Sequence, residues 1–175
     1  MADEAKEART DLMVAVFLTV AFLAVAALAL LPMGRWRLLL TWGRGYLVLW
    51  GAILGLSTLL VFAMRALRIN ADDHFDAYLL SNGALTGLLV AAWAAWVALL
   101  VDGAAAGAPT WAAVLLYALG LVSSWNGFGI VTMFYQGSFY KMIGLPVPVL
   151  GFALFAAWPP AARATFGRLF GLFAP

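Results

Sequence analysis

Residues 71–76, ADDHFD, gather the side chains of this sequence that are best suited to hold a metal. Asp72, His74 and Asp76 alternate, with Asp73 between them, so two carboxylates and an imidazole could wrap a divalent cation within one loop. The same acids have a second use. Just ahead of Tyr78 they stand where the N-terminus of a helix takes a capping side chain and negative charge. The chain has one histidine and no cysteine, so no remote ligand set completes a metal centre, and capping by Asp76 or a neighbour is the main expectation.

A second concentration of polar groups is SSWNGFGIVTMFYQGSFYK, residues 123–141. It divides by position into Ser123, Ser124 and Asn126, and then Tyr135, Gln136, Ser138, Tyr140 and Lys141. The later group reads as an aromatic belt with a snorkelling lysine at a membrane surface. The earlier group is harder to place, because an amide among lipid tails without a partner costs several kcal/mol. No phosphate-binding glycine loop, nucleophile elbow or His-x-x-x-His pair is present. AAWAAWVALL, residues 91–100, could offer a pigment or quinone a flat contact, but tryptophan and alanine at helical spacing read first as packing, and no cofactor is predicted.

The elements that position these residues follow from composition. Of 175 residues, 66% are hydrophobic and 10% charged, with mean hydropathy +1.00. Soluble domains carry roughly a quarter charged residues. The absence of cysteine excludes disulfides, thiolate nucleophiles, iron–sulfur clusters and sulfur-ligated zinc, and a single histidine argues against bis-histidine haem. A pI near 9.2 comes from arginines flanking apolar runs, so no nucleic-acid partner is implied. The runs are continuously apolar and do not alternate with period two, which selects helices over a barrel. The expected fold is an all-α polytopic integral membrane bundle of about five transmembrane helices, four being the alternative count. Its single domain has spans at 12–31, 46–64, 79–101, 111–134 and 143–158, the last short or tilted. Residues 161–173 set Phe166, Leu169, Phe170 and Phe173 at spacings of three and four, which predicts an interfacial amphipathic segment.

Between the first two spans, GRWRLLLTWGRG alternates Trp36 and Trp42 with Arg35, Arg37 and Arg44, the composition of a membrane–water interface. Arg65 and Arg68 close the second span, Asp102 ends the third and Lys141 follows the fourth. All six basic residues are expected at lipid headgroups, and none of the spans carries an interior charge. With five spans, the N-terminus and residues 67–78 share one side, called here the N-side, and Lys and Arg divide evenly between it and the far side. Seven of the eight acids lie on the N-side, a face whose acidity suits docking of a basic partner. The arginines after the first span favour a cytoplasmic far side, and with it a cytoplasmic C-terminus, in a bacterial inner membrane.

Laid side by side, the antiparallel spans put Thr19, Ser57, Thr58, Thr86, Ser123, Ser124 and Asn126 at similar depth in the N-side half, with Asn82 one turn nearer the surface. Such a layer either bonds helices together or lines a cavity. Gly51 with Gly55, Gly83 with Gly87, and Gly120 with Ser124 have the spacing of close helix packing. The stretch SFYKMIGLPVPVLGFALF resembles the start of a helix in the vitamin K epoxide reductase family, through its Gly-x-Pro run at Gly144 and Pro146. That family's redox chemistry needs cysteines and this chain has none, so the resemblance implies no activity here.

These observations favour a non-catalytic subunit packed among other integral membrane subunits and lipids, within a larger assembly of the energy-converting kind, respiratory or photosynthetic. A small homo-oligomeric transporter or channel using the polar layer is the alternative. A lipid-acting intramembrane enzyme with its metal loop at 72–76 is the third reading.

Overall fold

The computed structural model describes residues 2–135 and 143–157, with side chains described over 9–132 and 143–157. Lys141 and the 161–173 tail lie outside the described residues. Every regular element described is helical: α1 (Ala2–Leu30), α2 (Trp36–Ala66), α3 (Phe75–Ala105), α4 (Thr110–Tyr135) and α5 (Pro146–Ala157). The first four are long and apolar enough to cross a membrane, and the chain is accordingly an integral membrane protein. α5 has 12 residues and spans about 18 Å at 1.5 Å per residue, short of the roughly 30 Å hydrocarbon thickness. The expected fifth span is therefore, over its described residues, a shorter helix laid on the bundle.

The helices end by one device repeated three times. Gly34 after α1, Arg68 after α2 and Gly107 after α3 all take positive φ, at 68°, 55° and 93°. In each case the next backbone N–H reaches back to the final turn: Arg35 to Leu30, Ile69 to Met64, and Ala108 to Gly103. These left-handed caps satisfy carbonyls that lipid could not. Glycine adopts this conformation without steric cost, whereas Arg68 adopts it against the clash of its own Cβ. The connections are short, so α1, α2, α3 and α4 run antiparallel in succession.

α3 and α4 form the centre, and α1 and α2 are more exposed to the surroundings. α1 packs along α4, α5 packs along α3, and α2 touches α1, α3 and α4. Aromatic side chains fill the middle: Phe22, Trp42, Tyr46, Trp93, Trp96 and Phe128 are fully buried. Glycines let the backbones close on them. A Cβ on Gly103 would stand 2.5 Å from the Trp42 ring, and one on Gly127 would stand 3.0 Å from Trp50. On Gly151 it would run into Trp93 Cβ and stand 3.0 Å from the Val90 carbonyl oxygen, so α5 lies directly on the α3 backbone there.

Within α2, residues Ala52–Leu56 form a π turn between two α-helical stretches. Such a turn rotates the helix face, here between Trp50 and Ser57, both of which are buried. The largest difference from the sequence expectation also concerns α2. It begins at Trp36, ten residues before the expected Tyr46, so the GRWRLLLTWGRG stretch is helix body apart from its first two residues.

Candidate functional site

The best-defined polar contact in the core joins α2 to α4. Tyr46 and Ser123 share a hydrogen bond of 2.6 Å between hydroxyls, both residues being buried. Aromatic rings fix the tyrosine. Phe22 of α1 stacks on it at 4.0 Å and 9°, Trp50 meets it edge-on at 6.4 Å, and Trp96 of α3 lies 6.3 Å away. One turn toward the far side, the indole N–H of Trp42 donates to the Leu99 carbonyl at 3.0 Å. Gly45, facing Leu99 and Trp96, gives the room for these rings. Trp42 is thus a buried link between helices, not an interfacial aromatic.

The expected polar layer is not assembled at one level. Thr19 stands beside Tyr46 in a groove between α1 and α2, and its hydroxyl donates to Ala15 of its own helix at 2.9 Å. Ser57 is eleven residues farther along α2 than Tyr46, about 16 Å at the helical rise. The earlier start of α2 produces this offset: the run chosen from sequence as the second span packs about ten residues out of register with the first. Asn82 and Thr86 of α3 also bond within their own helix, to the Tyr78 and Asn82 carbonyls at 2.8 Å each. Ser123 alone of the expected set makes a side-chain bond to another helix among the bonds described. Thr58, half-buried, sits next to Ser57.

Several deeply buried polar atoms have no partner among the described residues: the hydroxyls of Ser57 and Ser124, Oδ1 of Asn126, and the indole nitrogens of Trp50, Trp93 and Trp96. Leaving such groups unbonded costs roughly 1–3 kcal/mol each, so the interior has unused hydrogen-bonding capacity on α2, α3 and α4.

The glycine pairs divide as well. A Cβ built on Gly120 would stand 3.1 Å from the Trp93 and Trp96 rings, a close helix contact. Gly51, Gly55, Gly83 and Gly87 have no atom within 4 Å of a Cβ built on them, and all four are exposed. Of the glycines at close approaches elsewhere, Gly103 begins a GxxxG pair with Gly107, whereas Gly45, Gly127 and Gly151 belong to none. Their common neighbour is a tryptophan or its immediate backbone.

Among the arginines, Arg35 does not simply face headgroups: its Nη1 donates to the Ala106 carbonyl at the end of α3. This ties the 31–35 connection to the negative end of a helix. Arg37 lies over the Trp36 ring at 5.5 Å, a cation–π contact at the start of α2. Arg65 ends α2, and Arg68 forms its left-handed cap. Arg44 lies well inside α2, lining the groove beside Thr19 and Leu23. The expectation that no span holds an interior charge is therefore corrected by the start of α2.

In the 71–76 loop, Asp72, His74 and Asp76 are exposed, and no group of three or more His, Cys, Asp or Glu among the described residues is gathered to hold a metal ion. His74 occupies the N-cap of α3 and no side chain caps the helix, while Asp76 stands in its first turn. Asp73 is held by Asn70, through 2.8 Å and 2.7 Å bonds that close the turn before α3. The expected carboxylate cap is absent, and the acid in the first turn acts through charge alone.

No family model, curated protein or solved structure matches the chain.

Proposed function

We propose that this chain is a non-catalytic integral membrane subunit that packs within a larger membrane assembly. The observation that carries the reading is the outward face of the α2–α3 hairpin toward the N-side. Past Ser57, α2 buries Met64, and before Leu89, α3 buries Asn82 and Leu85. The rest of this stretch presents Leu59, Phe62, Leu79, Leu80 and Leu88 outward, interrupted by Gly83 and Gly87, with Gly51 and Gly55 farther along α2. Lipid tails are as apolar as leucine, so apolar exposure alone drives no association in a membrane. Small residues that admit a neighbouring backbone do, through close packing. Four open glycines in two i, i+4 pairs fit the approach of partner helices.

In this reading the partners are other integral membrane subunits and lipids, and the assembly is of an energy-converting kind. The membrane is the bacterial cytoplasmic one, with the 31–35 and 106–109 connections on the cytoplasmic side. The test replaces Gly83 and Gly87 together by leucine, and separately Gly51 and Gly55, then compares what co-purifies from gently solubilised native membrane. At least one pair of substitutions should release partner subunits while the isolated chain resists denaturation as before. Unchanged co-purification by both double variants would remove the basis of the reading.

One observation favours a second reading, a small homo-oligomeric transporter. Ser57, Ser124 and Asn126 keep buried hydrogen-bonding capacity without a described partner, as groups along a hydrated path do. Asn126→Leu discriminates, since it alters flux in a transporter and leaves partner binding of an accessory subunit intact.

A further inference from the structure

The groove between α1 and α2 runs lengthwise along the two helices. Leu23 stands beside Gly43, with 3.9 Å from a built Cβ to Leu23 Cδ2. Because the helices are antiparallel, Ala27 lies four residues toward the far side with Leu39 and Leu40, and Thr19 lies four residues toward the N-side with Leu47. The cavity is open outward and holds about 380 Å³. Its walls make no polar demand, since Thr19 and Tyr46 direct their hydroxyls to Ala15 and Ser123. Arg44, which has an interaction of its own, borders the groove, and the methylene stem of an arginine adds to an apolar wall.

α2 carries the same face to the membrane surface. Trp36, Leu40, Gly43 and Leu47 follow one another at spacings of four, three and four, so the exposed Trp36 stands at the far-side mouth of the groove. Arg37, also exposed, lies over the Trp36 ring at 5.5 Å. Both follow closely on the uncharged stretch of α1 and its connection, residues 12–34. That stretch measures about 34 Å against a hydrocarbon thickness of roughly 30 Å, which puts Trp36 and Arg37 at headgroup depth. From Trp36 down to Leu47 is about 16 Å, close to the roughly 15 Å of one leaflet's hydrocarbon. Spread over the roughly 12 Å between Leu39 and Leu47, the cavity has a cross-section of about 30 Å², whereas a helix about 10 Å across needs more than twice that. The groove therefore has the shape of a single hydrocarbon chain lying along the membrane normal.

We propose that the groove seats one phospholipid of the far-side leaflet, its phosphate at headgroup level beside Arg37 and Trp36 and one acyl chain running down past Leu40 and Gly43 to Leu47. The planar fork of an arginine takes two phosphate oxygens at once, and a tryptophan at this depth has an apolar ring for the chain and a wet edge for the headgroup. The acyl chain ends at mid-membrane, level with Thr19, so no part of the headgroup enters the hydrocarbon. The seat is built within one chain and does not depend on the accessory-subunit reading.

The full-length chain is placed in nanodiscs doped with phosphatidylglycerol that carries a photoactivatable diazirine at one of two positions on an acyl chain, and the labelled residues are mapped by mass spectrometry. A diazirine near the carbonyl should mark Ala27, Leu39 and Leu40, and one at the chain terminus should mark Thr19 and Leu47. Leu115 and Val122 of α4, exposed at matching depths, report contact with bulk lipid, and the groove should be labelled several-fold more than they are. Gly43→Leu fills the groove and should bring its labelling down to the level of Leu115 and Val122. Arg37→Gln should lower groove labelling about fivefold, the factor that one basic residue near the surface contributes, while Arg37→Lys keeps most of it. Equal labelling of the groove and α4, a groove labelled as before in Gly43→Leu, or no effect of Arg37→Gln would each overturn the assignment. Near-ultraviolet circular dichroism of the buried tryptophans confirms that each variant is folded, and an unfolded Gly43→Leu is replaced by Leu47→Trp, which blocks the same groove from its exposed wall.

Discussion

Replacing Gly151 by alanine tests how α5 is held. Carbon atoms rest about 3.5–4.0 Å apart at their dispersion minimum. The added Cβ would run into Trp93 Cβ and stand 3.0 Å from the Val90 carbonyl oxygen and 3.1 Å from the Ala94 nitrogen. None of these atoms is the tip of a flexible side chain, so the clash cannot be relieved by a rotamer change. α5 must withdraw by about 1 Å, a gap that forfeits a quarter to a half of the dispersion well for atoms along the seam. Val147 and Pro148, buried on the same helix, lose contact together with Gly151. Overpacking of this kind costs about 1–3 kcal/mol. The assay is SDS titration of the purified chain in mild detergent, followed through tryptophan fluorescence, with Gly83→Ala as the companion variant. Gly83 faces open space, so alanine there should leave stability unchanged or raise it by up to about 1 kcal/mol through helix propensity. A Gly151→Ala chain as stable as the parent would refute the direct docking of α5 on α3.

Three further outcomes are expected. Tyr46→Phe keeps the Phe22 stack but strands the Ser123 hydroxyl, and a double-mutant cycle with Ser123→Ala should return a coupling of about 0.6–2 kcal/mol in SDS titrations. Zero coupling would mean the hydroxyls do not bond. Arg68→Gly relieves a left-handed residue at the end of α2 and should stabilise the isolated chain by about 1 kcal/mol, while a loss would show that the arginine side chain matters more there than its backbone strain. Because the chain has no cysteine, single cysteines at Met33, Ala71 and Pro109 report topology without a background signal. Membrane-impermeant maleimide should label Ala71→Cys from outside the cell, and should reach Met33→Cys and Pro109→Cys only after lysis.

Much of the architecture was legible because apolar runs about 20 residues long have few alternatives to crossing a membrane as helices. Four of them do have the length to cross, and Pro146 begins α5 where a missing N–H is harmless. The register of α2 was not legible. Charge was used to mark the end of the hydrocarbon, and by that rule Arg44 pushed the start of the span to Tyr46, whereas helix continuity from Trp36 and packing on Leu23 outweighed it. That one shift moved Trp42 from the interface to the core and separated Thr19 from Ser57. The close-packed glycines were hidden for a related reason. Gly45, Gly127 and Gly151 each accommodate a large ring or its backbone on another helix, a pairing set by three-dimensional register and not by spacing along one segment. The serines and the asparagine of α4 were expected at mid-membrane depth, and the structure buries Ser123, Ser124 and Asn126. Which of them would find a partner depended on Tyr46, whose position followed from the same register.

The account rests most heavily on the claim that the open glycine face of the α2–α3 hairpin belongs to a larger assembly. The direct measurement is the mass of the native particle that contains this chain, taken by native mass spectrometry after gentle solubilisation of the membrane, with every bound protein identified. The account predicts unrelated integral membrane subunits in fixed ratio to the chain. A lone chain, or a symmetric assembly of this chain alone, would contradict it.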